Sequence, residues 1–189
     1  MVIPYIVVFI SLIVWFLPIF KQYKTEYFLF FLILGINEPT YALFRILHLF
    51  KPEYINITFS VILVYSLVKR NKKNALILIS TLLLMYVVVW HYPDINKIFN
   101  ALIHVVIIFI VLNNLFQQIN LKYELNLFLV IFVSYELTGI MKFIVAYTDA
   151  VNGMVLFYLT SFLQIIYGIL FSFINVNTKV FKLRVKELE

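Results

Sequence analysis

Residues 98–116 read IFNALIHVVIIFIVLNNLF, and the fold class turns on them. The apolar residues run on continuously instead of alternating at period two. The stretch therefore reads as a membrane-crossing helix and not as a barrel strand that faces lipid and lumen in turn. At helical rise it reaches about 28 Å, close to the roughly 30 Å of a bilayer's hydrocarbon. Working outward, six more stretches of the same character appear: Val2–Phe20, Tyr27–Phe50, Tyr54–Val68, Ala75–Trp90, Leu125–Tyr147 and Met154–Ile174. Short polar breaks separate them, within the usual length of helix connections.

The composition agrees. Of 189 residues, 64% are hydrophobic and 13% charged, against about 45–50% and about 25% in a soluble domain. A water-surrounded globule is excluded. Seven spans of about 20 residues use roughly 140 positions and leave no room for a further soluble domain. The absence of cysteine excludes disulfides, thiolate metal sites and cysteine nucleophiles. Residues 1–20 carry no basic region ahead of the apolar run and no small-residue cleavage site after it, so they read as the first span and not as a cleavable signal. Tyr54–Val68 and Ala75–Trp90 are the shortest stretches. The first reaches only about 22 Å, so it and its neighbour either cross with help from snorkelling Lys51, Lys69 and Arg70 or form a hairpin that does not cross.

Basic residues set the expected orientation. With the N-terminus outside, the inner segments hold eleven of the 15 Lys and Arg residues, the outer ones only Lys51 and Lys97, and the spans Arg45 and Lys142. Positive charge stays on the cytoplasmic side, so an N-out, C-in arrangement is expected, in the cytoplasmic membrane of a bacterium. The net charge of +6 is thereby accounted for by sidedness, and no nucleic-acid partner is expected.

Sliding the chain by 98 positions aligns Lys24 with Lys122, Glu26 with Glu124, Leu29 with Leu127, Phe30 with Phe128, Glu38 with Glu136 and Thr40 with Thr138. The shared pattern is K-x-E-x-x-L-F followed by E-x-T. It suggests a parallel 3+1+3 repeat in which spans one to three correspond to five to seven and span four connects them. The fold class expected is all-α: a seven-helix polytopic bundle over residues 1–174, followed by a short basic tail, 175–189.

Glu38 and Glu136 each fall 11 residues into their spans, near the bilayer centre. A central charge costs about 2.5–3.5 kcal/mol on insertion scales, so each carboxylate has to be neutral, paired or water-facing. Arg45 and Lys142 lie in the same two spans. Paired across a duplication axis, they would match Glu38 with Lys142 and Glu136 with Arg45. Asn37, Thr40 and Thr138 are placed to add interhelical hydrogen bonds, each worth about 0.6 kcal/mol. Pro39 kinks span two beside Glu38, and Gly139 and Gly168 permit close helix approach.

The histidines His48, His91 and His104 all fall toward the outer side, each on a different segment. No H-x-x-x-H or H-E-x-x-H spacing occurs, so they are weak metal candidates and neither a metal nor another cofactor is expected. His91, between Trp90 and Tyr92, reads as part of an interfacial aromatic belt. Span seven has no lysine, which excludes a retinal Schiff base. It also has no histidine, which argues against a seven-span Ser/His/Asp hydrolase; Ser60 and Ser134 have no histidine close in sequence. In the tail, Phe181, Val185 and Leu188 recur at helical spacing among basic residues, which predicts an amphipathic helix on the inner leaflet or a continuation of span seven.

In shape the chain resembles the membrane input module of a bacterial sensor kinase without its kinase, a likeness of architecture and not of motif. The reading is a non-enzymatic membrane protein, a small sensor, receptor or accessory subunit that works through helix contacts with another membrane protein or a second copy. The alternative is a small-solute or proton-coupled transporter, resembling sugar carriers of the 3+1+3 type, with Glu38 and Glu136 at its site. An intramembrane hydrolase comes third.

Overall fold

A computed structural model describes residues 3–47, 52–69, 71–93, 95–148, 153–178 and 182–184. Among them run seven helices: α1 (Ile3–Lys21), α2 (Phe28–Leu47), α3 (Pro52–Leu67), α4 (Lys72–His91), α5 (Ile95–Lys122), α6 (Leu127–Thr148) and α7 (Gly153–Phe173). Two three-residue strands, β1 (Glu124–Asn126) and β2 (Lys182–Arg184), complete the described elements. The helices fall on the seven apolar stretches. Lys72–His91, Ile95–Lys122 and Leu127–Val145 are each long and apolar enough to cross a membrane, as expected of a membrane protein.

The packing order returns to its start. α1 lies on α2, α2 on α3, α3 on α5, α5 on α6, α6 on α7, and α7 back on α1. α4 stands outside this ring, folded as a hairpin against α3 and touching α5 only lightly. Asn71 caps it, accepting a hydrogen bond from the Asn74 amide at 2.7 Å, which satisfies one of the first-turn donors. The Tyr54 and Tyr86 rings meet edge to face at 5.3 Å, and the Tyr86 hydroxyl is hydrogen-bonded to Thr58. The two shortest predicted spans therefore form a packed helical pair.

Aromatic rings pack where α2, α6 and α7 meet. Phe30 and Phe31 of α2, Phe128 and Phe132 of α6 and Phe171 of α7 are all 0% exposed. Their centroids lie 4.7 Å (Phe30–Phe132) and 4.9 Å (Phe31–Phe171) apart, tilted or edge to face. These are the separations at which the electropositive ring edge meets the electronegative face. A Cβ on Gly168 would come within 2.6 Å of Val14 Cγ1, so glycine is what lets α7 approach α1.

Two buried amides stitch one end of the bundle. Gln22, just past α1, donates from Nε2 to the carbonyls of Phe171 (3.0 Å) and Ile174 (2.7 Å), taking up two acceptors at the end of α7 that have no helical donor ahead of them. Asn126 accepts from the Phe128 amide at 3.2 Å, capping α6, and donates to the Val176 carbonyl at 3.0 Å.

The tail departs from the helix expected of it. α7 stops at Phe173, Thr178 and Asn175 close a turn, and Lys182–Arg184 pairs antiparallel with Glu124–Asn126. Glu124 stands opposite Arg184 in the register, and Asn126 opposite Lys182. Phe181, Val185 and Leu188 lie outside the described residues.

Candidate functional site

The most buried ionisable group among the described residues is Glu136, on α6 and 0% exposed. Its Oε2 lies 2.5 Å from Nδ1 of His104 on α5. The bond joins α5 to α6 and gives one oxygen of the buried carboxyl group a polar partner from another helix. A buried carboxyl group needs such a hydrogen-bond partner to stay inside an apolar bundle. The other carboxylate oxygen, Oε1, is buried with no hydrogen-bond partner among the described residues.

Three residues of α6 form the seat. Glu136, Gly139 and Phe143 recur at i, i+3 and i+7, and so share one face. A Cβ on Gly139 would come within 3.2 Å of His104 Nδ1 and Cε1, so the imidazole lies in a notch that the glycine leaves open. Phe143 covers the ring at 5.5 Å, tilted by 32°. The imidazole keeps 12% of its surface exposed.

The other site residues are dispersed. Lys142 donates from Nζ to Gln164 Oε1 at 3.2 Å, joining α6 to α7. Thr138 is buried but donates to its own helix, to the Tyr135 carbonyl at 2.7 Å, so the interhelical bond expected of its hydroxyl is not the one it makes. Asn37 carries a buried Oδ1 with no partner among the described residues, and Thr40 is half-buried on the same helix. The side chains of Glu38 and Arg45, and all of His48, lie outside the described residues. The hydrogen bond found at Glu136 goes to His104, a residue expected only as a weak metal candidate on the outer side.

His91 ends α4, exposed, with Tyr92 at 6.5 Å. Among the described residues no group of three or more His, Asp or Glu side chains is arranged to hold a metal ion. Ser60 donates to Asn100 Oδ1 at 2.5 Å, and Ser134 to the Val130 carbonyl of its own helix at 3.0 Å. Neither of these bonds activates a nucleophile, which needs a base as acceptor.

A second polar cluster was not singled out from sequence. Asn100 donates from Nδ2 to both the carbonyl and Oδ1 of Asn96, each at 2.8 Å, and accepts from Ser60 of α3. All three are buried. The signal was present, because Asn96, Asn100 and His104 recur every four residues and form a polar stripe along α5. The stripe serves both neighbours: Asn100, held by Asn96, bonds to α3, and His104 bonds to α6.

No protein-family model matches the chain, and no curated protein and no solved structure matches it either.

Proposed function

We propose that the chain is a non-enzymatic, seven-span integral membrane protein, N-out and C-in in a bacterial cytoplasmic membrane. In this reading it is a small sensor, receptor or accessory subunit that works through helix contacts with another membrane protein or a second copy. The observation that carries the reading is the packing between helices: five fully buried phenylalanines join α2, α6 and α7, and Glu136, itself fully buried, is hydrogen-bonded to His104 of the adjacent helix. An apolar cavity of about 310 Å³ is lined by α3, α4 and α5 and includes neither residue. A carrier needs its charged site to open to water, whereas a contact protein needs it packed.

The packing order favours one second reading, a 3+1+3 carrier. Exchanging α1, α2 and α3 for α5, α6 and α7 maps the ring of contacts onto itself and leaves α4 outside as the connector. That is the pattern a tandem duplication of three helices would produce.

Glu136→Gln in the full chain separates the two. As a contact protein, the variant accumulates less and denatures earlier in detergent, and vesicles reconstituted with either form show the same proton and sugar flux as empty ones. Flux through the parent protein that Glu136→Gln abolishes at unchanged accumulation would establish the carrier instead.

A further inference from the structure

The α3–α4 hairpin places an apolar cavity beside three exposed lysines that form no salt bridge among the described residues. The cavity, about 310 Å³, is walled by Val61, Val64 and Val68 of the α3 side, by Ile77 and Met85 of α4, and by Ile103 of α5. It spans from Asn74 to Met85 along α4, about 16 Å at helical rise. One end of that span is the connection between the two helices. There Asn74 donates to the Lys69 carbonyl at 2.6 Å, which holds the turn closed with Lys69, Lys72 and Lys73 exposed around it.

These lysines have no acid nearby in the chain: between Glu53 and Asp94 the sequence contains no Asp or Glu. None of the three takes part in a salt bridge among the described residues. Among the described residues the three charges are thus open to a counter-charge, next to a cavity lined mostly by apolar side chains. A ligand that suits both has an anionic head joined to an aliphatic tail.

We infer that this hairpin binds an anionic glycerophospholipid, with an acyl chain in the cavity and the phosphate on Lys69, Lys72 and Lys73. The inference rests on the membrane residence and N-out orientation proposed above, which put the cluster on the cytoplasmic leaflet. Basic pockets between helices on that side are suited to anionic lipid heads. Each buried methylene adds to the affinity, and the unbranched, polarisable Met85 adapts to a flexible chain.

The test uses the full-length chain. Flotation with phosphatidylcholine vesicles comes first, and a chain that stays at the bottom of the gradient overturns the membrane reading and this one with it. For a chain that floats, native mass spectrometry compares retention of phosphatidylglycerol and phosphatidylcholine in detergent. Electrostatic attraction near a surface is worth about five-fold per lysine, so phosphatidylglycerol is expected to be retained at least about ten-fold more strongly. The variant Lys69→Gln/Lys72→Gln/Lys73→Gln removes that preference, and Val64→Phe, which fills the slot, lowers occupancy by both lipids. Since the three lysines are exposed, the triple variant keeps the fold and remains informative even if Val64→Phe does not. Equal retention of the two lipids by the parent chain overturns the inference while leaving the membrane reading intact. So does a preference that survives the triple variant, or a dimer mass without bound lipid, which would assign the slot to a second copy.

Discussion

α4 and α6 are nearly the same length, 20 and 22 residues, and both are apolar enough to cross a membrane, yet they are used in opposite ways. α6 sits between α5 and α7 with Phe128, Leu129, Phe132, Tyr135, Glu136 and Thr138 buried. On α4 only Val89 is buried among the described residues, and Leu76, Ile79, Leu83, Val87 and Trp90 stand exposed along one face. Hydropathy does not separate the two. In lipid an apolar side chain gains little from leaving hydrocarbon for a helix interface, so Leu83 is as well placed outside the ring as inside it. Polar groups have no such freedom. The hydroxyl of Ser80 on α4 is satisfied by its own helix, through the Leu76 carbonyl at 2.9 Å, whereas the carboxyl of Glu136 needs a partner from another helix. The helix that carries an unavoidable polar contact is the one drawn to the centre.

If that contrast holds, truncation should cost most where α6 meets the aromatic centre. Phe132 touches Tyr27, Phe30, Phe31, Phe128 and Phe171, and Phe132→Ala is expected to lose about 3–5 kcal/mol, the range for a buried ring replaced by a void. Reversible denaturation in mixed micelles measures it, and a loss below about 1 kcal/mol would mean that the centre is not packed as described. Next comes Gln22→Leu, which leaves the Phe171 and Ile174 carbonyls without their side-chain donor in a dry environment. The expected cost is about 1–3 kcal/mol by the same measurement. A neutral outcome would place water at the end of α7.

The Glu136–His104 pair sharpens the comparison through coupling. Glu136→Leu and His104→Leu each strand the other partner, whereas the double variant removes both polar groups at once. The double variant should therefore be more stable than the sum of the two losses predicts, by about 0.6–1.7 kcal/mol, the range found for polar pairs inside membranes. Strict additivity would show that the two side chains do not interact energetically in the folded protein.

Much of this architecture was readable from the chain, and the unread part has a common cause. Each apolar stretch became a helix because continuous apolarity over a span's length leaves few other ways to satisfy the backbone. Glu136 stood out because its price in lipid can be stated without knowing its neighbours. Its partner did not, because His104 is 32 residues away and nothing local says that α5, and not α2, faces that side of α6. The expectation of Arg45 came from a symmetry between spans two and six, and its side chain lies outside the described residues. The Asn96–Asn100–His104 stripe was visible in its spacing, but three residues on one helix face indicate a contact without naming the neighbour. The tail misled for a related reason: residues 182–184 have helical apolar spacing around them, yet their geometry is set by pairing with residues 124–126, which no local periodicity encodes.

The smallest expected effect is the most diagnostic for α4. Leu83 is 61% exposed and lies on the face turned away from the cavity residues Asn74, Leu78, Thr81 and Met85. In an isolated chain, Leu83→Ala removes few packing contacts, and alanine is the better helix former, so the change should stay within about 0.5 kcal/mol. The same measurement repeated over a range of protein-to-detergent ratios turns this into a test of what the outer face meets. A loss that stays small at every ratio leaves α4 with lipid alone. A loss that grows past about 1.5 kcal/mol as the protein is concentrated would mean that Leu83 is buried by association, because only a partner-bound state has its stability tied to protein concentration. The contrast between α4 and α6 would then be one between two contact faces, the inner one made during folding and the outer one during assembly.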